Sequence, residues 1–356
     1  MTQTSACINA IGCAVPEQDV HFSFIQWAAR QLEDDRARQL FTRMADRSGI
    51  DHRWSVLPAA PGGGSPVDPG GFYADGMPST ARRMALYGEF APTLALRAID
   101  ALSAKVAVEG ITHLVVASCT GFIAPGVDQI IAASLGLADV ERTLVGFMGC
   151  YAAVAALRTA RHIVRSEPAA RVLVVTVELS SLHLQPEQQV DRLLMMLQFG
   201  DGAAAALVTA DLRGISLGQP FALTLPDSAE LIRWHVGDSG FLMHLSGEVP
   251  ARIQSALKDP SIRQRLCGST DPAEVDHWAV HAGGRSILDA VEHGLDLDEG
   301  ALAPSRSVLA RHGNMSSATL MFILADMLDE QSGTNGVALA FGPGVAAEGF
   351  RFSRAG

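Results

Sequence analysis

Three stretches of this chain recur at one constant offset of 164 residues, and no other feature restricts its fold as strongly. Thr112-His-Leu-Val-Val-Ala-Ser118 returns as Asp276-His-Trp-Ala-Val-His-Ala282, and Gly149-Cys150-Tyr-Ala-Ala returns as Gly313-Asn314-Met-Ser-Ser. The strand opening at Val172 returns as Gly336-Val-Ala-Leu-Ala-Phe-Gly342. A period this long marks a duplicated domain rather than a solenoid. Within each copy, short apolar runs alternate with helical patterns, which asks for buried, mostly parallel sheets with right-handed crossovers. Two such halves, residues 1–212 and 213–356, are expected to stack into one layered α/β body. Their equivalent turns then meet near a pseudo-twofold axis, a natural place for a shared pocket.

Composition limits the function. Apolar residues make up 48% and charged residues 18% of the 356 positions, which describes a soluble, well-packed α/β enzyme. A formal charge of −11 argues against nucleic acid as the main partner, because phosphate binding needs a basic face. No apolar run reaches the ~18 residues of a membrane span. The amino-terminal stretch Met1–Cys7 lacks the basic and apolar regions of a secretory leader. Cys7, Cys13, Cys119, Cys150 and Cys267 show no Cys-x-x-Cys spacing, so reduced thiols in a cytoplasm are expected, without a disulfide framework or zinc site.

Along the chain, residues 5–13 read as a first strand and residues 22–47 as a helix with the charge run Glu33-Asp-Asp-Arg36 on its outer face. The Pro- and Gly-rich residues 58–79 lack a following Gly-Lys-Ser/Thr and read as a surface loop. A long helix over residues 80–106 precedes buried strands at 111–118 and 171–177.

The chemistry concentrates at Cys150. An apolar run ends in Gly149, then one cysteine, then an alanine-rich amphipathic segment to Arg165. This presents a thiol at a helix start, where backbone N–H groups and the dipole favour the thiolate. In the second copy the equivalent turn carries Asn314, and the preceding strand carries His281 where the first has Ala117. Under a pseudo-twofold, Cys150, His281 and Asn314 converge as nucleophile, base or ion-pair partner, and donor to developing negative charge. Taken singly, each has an ordinary role, as buried thiol, core histidine and helix cap. The symmetric placement favours the catalytic reading.

Gly-Phe-Met-Gly-Cys150-Tyr-Ala-Ala, Trp278-Ala-Val-His281-Ala-Gly-Gly, Phe199-Gly-Asp-Gly202, Gly313-Asn314-Met-Ser-Ser and Phe341-Gly-Pro-Gly344 together resemble the type III polyketide synthases, chalcone-synthase-like members of the thiolase superfamily. The resemblance runs from Arg43-Met-Ala-Asp-Arg47 to the C-terminal loop. It implies a thiolase-like αβαβα fold and a cytoplasmic homodimer that uses a free acyl-CoA starter and malonyl-CoA without an acyl carrier protein, with no cofactor beyond these thioesters. It also implies that Cys150 carries the acyl chain, His281 stabilises the thiolate as an ion pair, and His281 with Asn314 polarises the malonyl thioester carbonyl. Phe199 falls on a gatekeeping phenylalanine, and Arg43 and Arg47 on residues that hold coenzyme A phosphates. A third basic residue usual in plant members is Leu40 here. Met243, or Phe241 nearby, matches a second gatekeeper, Cys119 a cavity wall and Ser316 a small cavity residue. Ala282 replaces a proline usual after the histidine.

Cys119, Ala124, Met243 and Ser316 suggest a roomier, more apolar cavity than in plant members. The segments Val177-Glu-Leu-Ser-Ser-Leu-His-Leu184 and Glu141-Arg-Thr143 resemble bacterial members that take fatty acyl starters, so the expected product is an alkylpyrone or alkylresorcinol from a fatty acyl starter extended two or three times. The alternatives are a small aromatic made from malonyl-CoA alone, a ketoacyl-ACP synthase III-like single condensation, and a cysteine acyl hydrolase.

Overall fold

The computed structural model describes residues 4–330 and 334–355. Met1, Thr2 and Gln3 of the stretch read for a leader lie outside the described residues. The strands are β1 (Cys7–Ala14), β2 (Gln18–Asp19), β3 (Trp54–Ser55), β4 (His113–Ser118), β5 (Glu141–Gly146), β6 (Val172–Leu179), β7 (Asp201–Thr209), β8 (Gly214–Thr224), β9 (Ile232–Gly237), β10 (Gly240–Leu245), β11 (His277–Val280), β12 (Asn335–Gly342) and β13 (Ala346–Ala355). The helices are α1 (His21–Gln31), α2 (Asp35–Ala45), α3 (Thr80–Ser103), α4 (Val127–Ser134), α5 (Ala152–Ser166), α6 (Val190–Met196), α7 (Val249–Leu257), α8 (Pro260–Cys267), α9 (Arg285–Leu295), α10 (Ala303–His312) and α11 (Ser317–Asp329).

Nine strands form one sheet in the order β11-β12-β13-β8-β1-β7-β6-β4-β5. The first half supplies β5 to β1 and the second β8 to β11. They join where β8 meets β1 through two residue pairs, Cys7 with Ser216 and Ile8 with Ile215. So short a joint leaves the halves free to lie over one another, and the helices between them show that they do. Helix α11 of the second half packs on β1, β6 and β7 of the first, while α5 of the first packs on β13 and β8 of the second. These two helices also touch each other and form the middle layer.

Side-chain alternation divides the core accordingly. Val172 and Val174 of β6 face the α5–α11 layer with Ala204 and Ala206 of β7. Leu173, Val175, Ala203 and Ala205 face α3 on the outside. In the second half, Trp278, Val280, Val337 and Leu339 face α7 and α9. The layers are therefore helix, sheet, helix, sheet, helix. Every residue of β6 and β7 is buried, as sheets covered on both faces require.

Several expectations are corrected. The sheet is not mostly parallel: β4–β5, β4–β6 and β11–β12 run parallel, and the other five contacts are antiparallel. In the second copy the tight Pro343–Val345 turn sends β13 back along β12. The duplication is also uneven, because helix α10 occupies the sequence position that matches β5. The single helix expected over 22–47 is two. Leu32 is extended (φ −92°, ψ 116°), and the Asp34 carboxylate accepts from the Ala37 N–H at 2.8 Å, so part of the charge run starts a helix. The 58–79 loop is anchored rather than superficial: Tyr73 is buried, and its hydroxyl donates to the Ser181 carbonyl at 2.7 Å.

Candidate active site

The turn after β5 is built to hold Cys150. Phe147 (φ 58°) and Gly149 (φ 75°) are left-handed, and Gly149–Tyr151 form one 3-10 turn leading into α5. A Cβ on Gly149 would lie 2.6 Å from Pro343 Cδ, so glycine lets the β12–β13 turn close over the cysteine. The counterpart Gly313 is equally left-handed (φ 67°), and a Cβ there would lie 2.7 Å from the Gln198 carbonyl oxygen. No side chain caps the start of α5, which leaves its first N–H groups and positive dipole end open to negative charge.

His281 directly follows β11, and its N–H donates to the Leu339 carbonyl at 2.8 Å. Asn314 and Phe199 form an isolated parallel bridge, with the Asn314 N–H on the Gln198 carbonyl at 2.7 Å and the Gly200 N–H on the Asn314 carbonyl at 3.0 Å. The Asn314 side chain donates to the Gly283 carbonyl at 3.3 Å and accepts from the Ser316 N–H at 2.8 Å. Cys150, His281 and Asn314 line a single cavity of about 630 Å³, shared with Phe199, Cys119, Met243 and Ser316. The Ser316 hydroxyl and the Asn314 amide are within hydrogen-bond reach of the Cys150 thiol.

Burial dominates the electrostatics. It pushes the Cys150 thiol up to about 11, against the hydrogen bonds from Ser316 and Asn314, and the Glu178 carboxyl pushes in the same direction. It pushes the His281 imidazole down to about 3. Neither ring nitrogen of this buried histidine has a protein hydrogen-bond partner. Each group taken singly is therefore held neutral, and the free-thiolate tendency of the helix start is outweighed by desolvation.

Glu178, which the sequence reading did not single out, supports this site. Its fully buried carboxyl accepts from the Cys119 N–H at 2.9 Å, the Thr120 hydroxyl at 2.8 Å and the Ser317 hydroxyl. Burial raises it to about 7. It ties the end of β4 to the start of α11, while the Cys119 sulfur accepts the Gly149 N–H at 3.0 Å. A lone glutamate inside the apolar run Val172–Leu179 was the available signal.

His183 forms another wall. Its Nε2–H donates to the Thr120 carbonyl at 2.7 Å, and its Nδ1 accepts from the Phe241 N–H at 3.1 Å, an assignment fixed by the hydrogen-bond network. Its ring stacks on Phe241 with centroids 4.1 Å apart, and Phe241 stacks on Trp234 at 5.2 Å. Phe241 and Met243 thus both face the cavity from the β9–β10 hairpin.

Other sequence-derived residues fall elsewhere. Arg43 and Arg47 are exposed on and just after α2 and do not line the cavity. Ala124 is exposed next to Pro125 and is not a wall residue, so the case for a roomy cavity rests on Cys119, Met243 and Ser316.

The thiol, imidazole and amide suit acyl transfer through a thioester followed by carbon–carbon bond formation, and the five-layer fold agrees. A crystal structure of PKS-I from the brown alga Ectocarpus siliculosus superposes with a TM-score of 0.87 at 27% identity, covering 99% of both chains. This is the thiolase-like fold of condensing enzymes. The family model for the N-terminal domain of chalcone and stilbene synthases matches residues 1–212, and that for the C-terminal domain matches residues 218–354. The chain belongs to this family and is a type III polyketide synthase, a decarboxylating condensing acyltransferase. It is similar to the Alpha-pyrone synthesis polyketide synthase-like Pks18 of Mycobacterium tuberculosis, 36% identical over 292 residues, 77% of this chain and 74% of that protein. It is also similar to Type III polyketide synthase B of Arabidopsis thaliana, 30% identical over 372 residues, 97% of this chain and 93% of that protein.

Proposed function

We propose that this synthase loads a fatty acyl group from coenzyme A onto Cys150, extends it two or three times with malonyl-CoA, and releases an alkylpyrone or alkylresorcinol. The observation that carries the mechanism is the meeting of Cys150 with a partnerless imidazole and the Asn314 amide in one buried cavity. The thiol proton passes to His281, the sulfur attacks the starter thioester, and coenzyme A leaves as the thiol. Malonyl-CoA then loses CO₂, and the electrons of the broken C–C bond move into its thioester carbonyl. His281 and Asn314 donate to the resulting enolate oxygen, where fixed donors in a dry site act most strongly. The enolate carbon attacks the acyl thioester and frees Cys150 to take back the extended chain.

No cofactor beyond the thioesters enters this cycle. Phe199, Cys119, Met243 and Ser316 shape the cavity, and Arg43 and Arg47 hold coenzyme A phosphates at the surface. The apolar walls contributed by Leu57, Val67, Leu184, Met195 and Met196 support a fatty starter, as does the pyrone activity in the name of the mycobacterial relative. Among the described residues no helix is long and apolar enough to cross a membrane, and the exposed edge strand β5 supports a homodimer, with a cytoplasmic location proposed. Incubation with malonyl-CoA and a ladder of acyl-CoA starters, read by mass spectrometry, tests this. Pyrones or resorcinols that require a fatty starter are expected, and an aromatic from malonyl-CoA alone would overturn the starter assignment.

A further inference from the structure

Arg43 and Arg47 stand four residues apart at the end of α2, and Leu40 occupies the place of a third basic residue. A different element brings an arginine to the same spot. Arg285 is the first residue of α9, and its Nη1–H donates to the Arg47 carbonyl at 3.1 Å. Its stem crosses the turn that follows α2, where a Cβ on Gly49 would lie 4.0 Å from Arg285 Cδ. The two arginines are 238 positions apart in sequence, so no local pattern joins them.

The start of α9 also borders the cavity. Gly283 and Ile287, on either side of Arg285 in the chain, line it. A Cβ on Gly284 would lie 2.1 Å from Gln198 Oε1, so glycine brings this helix start against the residue before Phe199. Arg285 is therefore held beside the α2 arginines and close to the gatekeeping position. Other arginines on the cavity wall are already engaged: Arg192 pairs with Glu187 at 3.1 Å, and Arg233 pairs with Glu230 at 3.3 Å. Arg285 reaches Asp289 only at 3.6 Å, and the other oxygen of that carboxylate holds Arg306 at 2.7 Å. So long and exposed a pair contributes little, which leaves the Arg285 charge free for an incoming anion. Among the described residues Arg43 and Arg47 have no carboxylate partner at all. The chain carries a net charge of −11, yet here three guanidinium groups border the cavity that takes coenzyme A thioesters.

We propose that Arg285 is the third cation of the coenzyme A site and binds a phosphate of the incoming thioester together with Arg47, in the role that Leu40 cannot fill. This rests on the synthase reading above and names a contact that reading lacks. The guanidinium fork presents parallel N–H donors to phosphate oxygens, and no covalent bond changes on binding.

The test measures kcat and KM for malonyl-CoA, with saturating dodecanoyl-CoA, in the parent and in Arg285→Ala, Arg285→Glu and Arg285→Lys. Arg285→Ala is expected to raise KM about tenfold, the size of one charged hydrogen bond, with kcat within about twofold. Arg285→Glu should raise KM further, Arg285→Lys should recover most of the loss, and raised salt should narrow the difference between parent and variants. Equal KM in all four proteins overturns the proposal. A fall in kcat for Arg285→Ala with KM unchanged overturns it as well, because a phosphate contact acts on binding. The double variant Arg47→Ala, Arg285→Ala separates direct contact from support of the Arg47 carbonyl. Its KM should exceed that of Arg47→Ala alone by about threefold or more, and equality of the two means that Arg285 only positions Arg47. Calorimetric titration with free coenzyme A keeps this proposal apart from the synthase reading. A parent silent with every thioester, whose affinity for coenzyme A still falls in Arg285→Ala, loses the synthase reading alone. A silent parent with unchanged affinity in the variant loses both.

Discussion

A buried thiol and a buried imidazole each resist ionisation, so the chemistry of Cys150 depends on its neighbour. Removing that neighbour leaves a thiolate with only Ser316 and Asn314 to hold it. In the variant His281→Ala, the pH profile of Cys150 alkylation by iodoacetamide is expected to move to higher pH than in the parent. Superimposable profiles would mean that His281 does not share the proton. Glu178 is a second residue whose environment opposes its charge. Its folded pKa of about 7 lies above the 4.5 of a free carboxyl, so the folded state keeps a proton that the unfolded chain releases. Its contribution to stability is therefore full below pH 4.5 and is lost as pH rises through 7. The isosteric Glu178→Gln lacks this dependence. Urea unfolding at pH 5, 6, 7 and 8 should show the parent losing stability relative to the variant, by up to about 3 kcal/mol. A flat difference would show that the Cys119, Thr120 and Ser317 donors keep the carboxylate ionised throughout.

Elements carry these residues to their places, and the turn before α5 is the most constrained. Ala at Gly149 meets both a left-handed backbone and Pro343 Cδ at 2.6 Å, so the turn must move. Gly149→Ala is expected to cost about 10²-fold in turnover, since small misplacements of a nucleophile have effects of that size. Gly136, with nearly the same φ (67°) but nothing within 4 Å, is the control. Gly136→Ala should cost only about 1 kcal/mol of stability and leave turnover unchanged. Equal activity in both variants would show that the Cys150 turn tolerates displacement. The paired glycines were legible in the sequence because the duplication placed Gly149 and Gly313 in register, and the same register located β4 with β11, β6 with β12, and α5 with α11. The register broke down where the copies diverged, at β5 and α10. Pro304 in the first turn of α10 suits a helix start, a local signal that lies outside the three matched stretches. The break at Asp34 was lost inside a continuous helical periodicity, although Asp before Asp-Arg-Ala is an ordinary cap. Strand direction in β1, β7, β8 and β13 depends on neighbours far apart in sequence. The partners of Glu178 lie 58 to 139 residues away, and no local pattern could name them.

At the scale of the whole molecule, the sheet ends unevenly, and its β5 edge bears on the proposed homodimer. Strand β5 is an outer strand whose Glu141, Arg142, Thr143 and Leu144 are exposed, so among the described residues one row of its backbone donors and acceptors has no sheet partner. Open edges of this kind invite another strand. Leu144 is 52% and Phe147 47% exposed, and Phe122 lies against Phe147 with ring centroids 5.9 Å apart. An antiparallel pairing of β5 with its twofold copy would satisfy the edge and bury these apolar groups in one isologous interface. The interface would also reach the cavity wall, because Phe147 packs on Trp234 at 5.3 Å and Trp234 stacks on the cavity residue Phe241. Sedimentation analysis is expected to give a dimer for the parent at micromolar concentration. The double variant Leu144→Lys, Phe147→Lys should sediment as a monomer with reduced turnover, because like charges on both sides of a twofold repel one another. A monomeric parent would remove the dimer from the functional proposal, and a variant that stays dimeric would place the interface on another face.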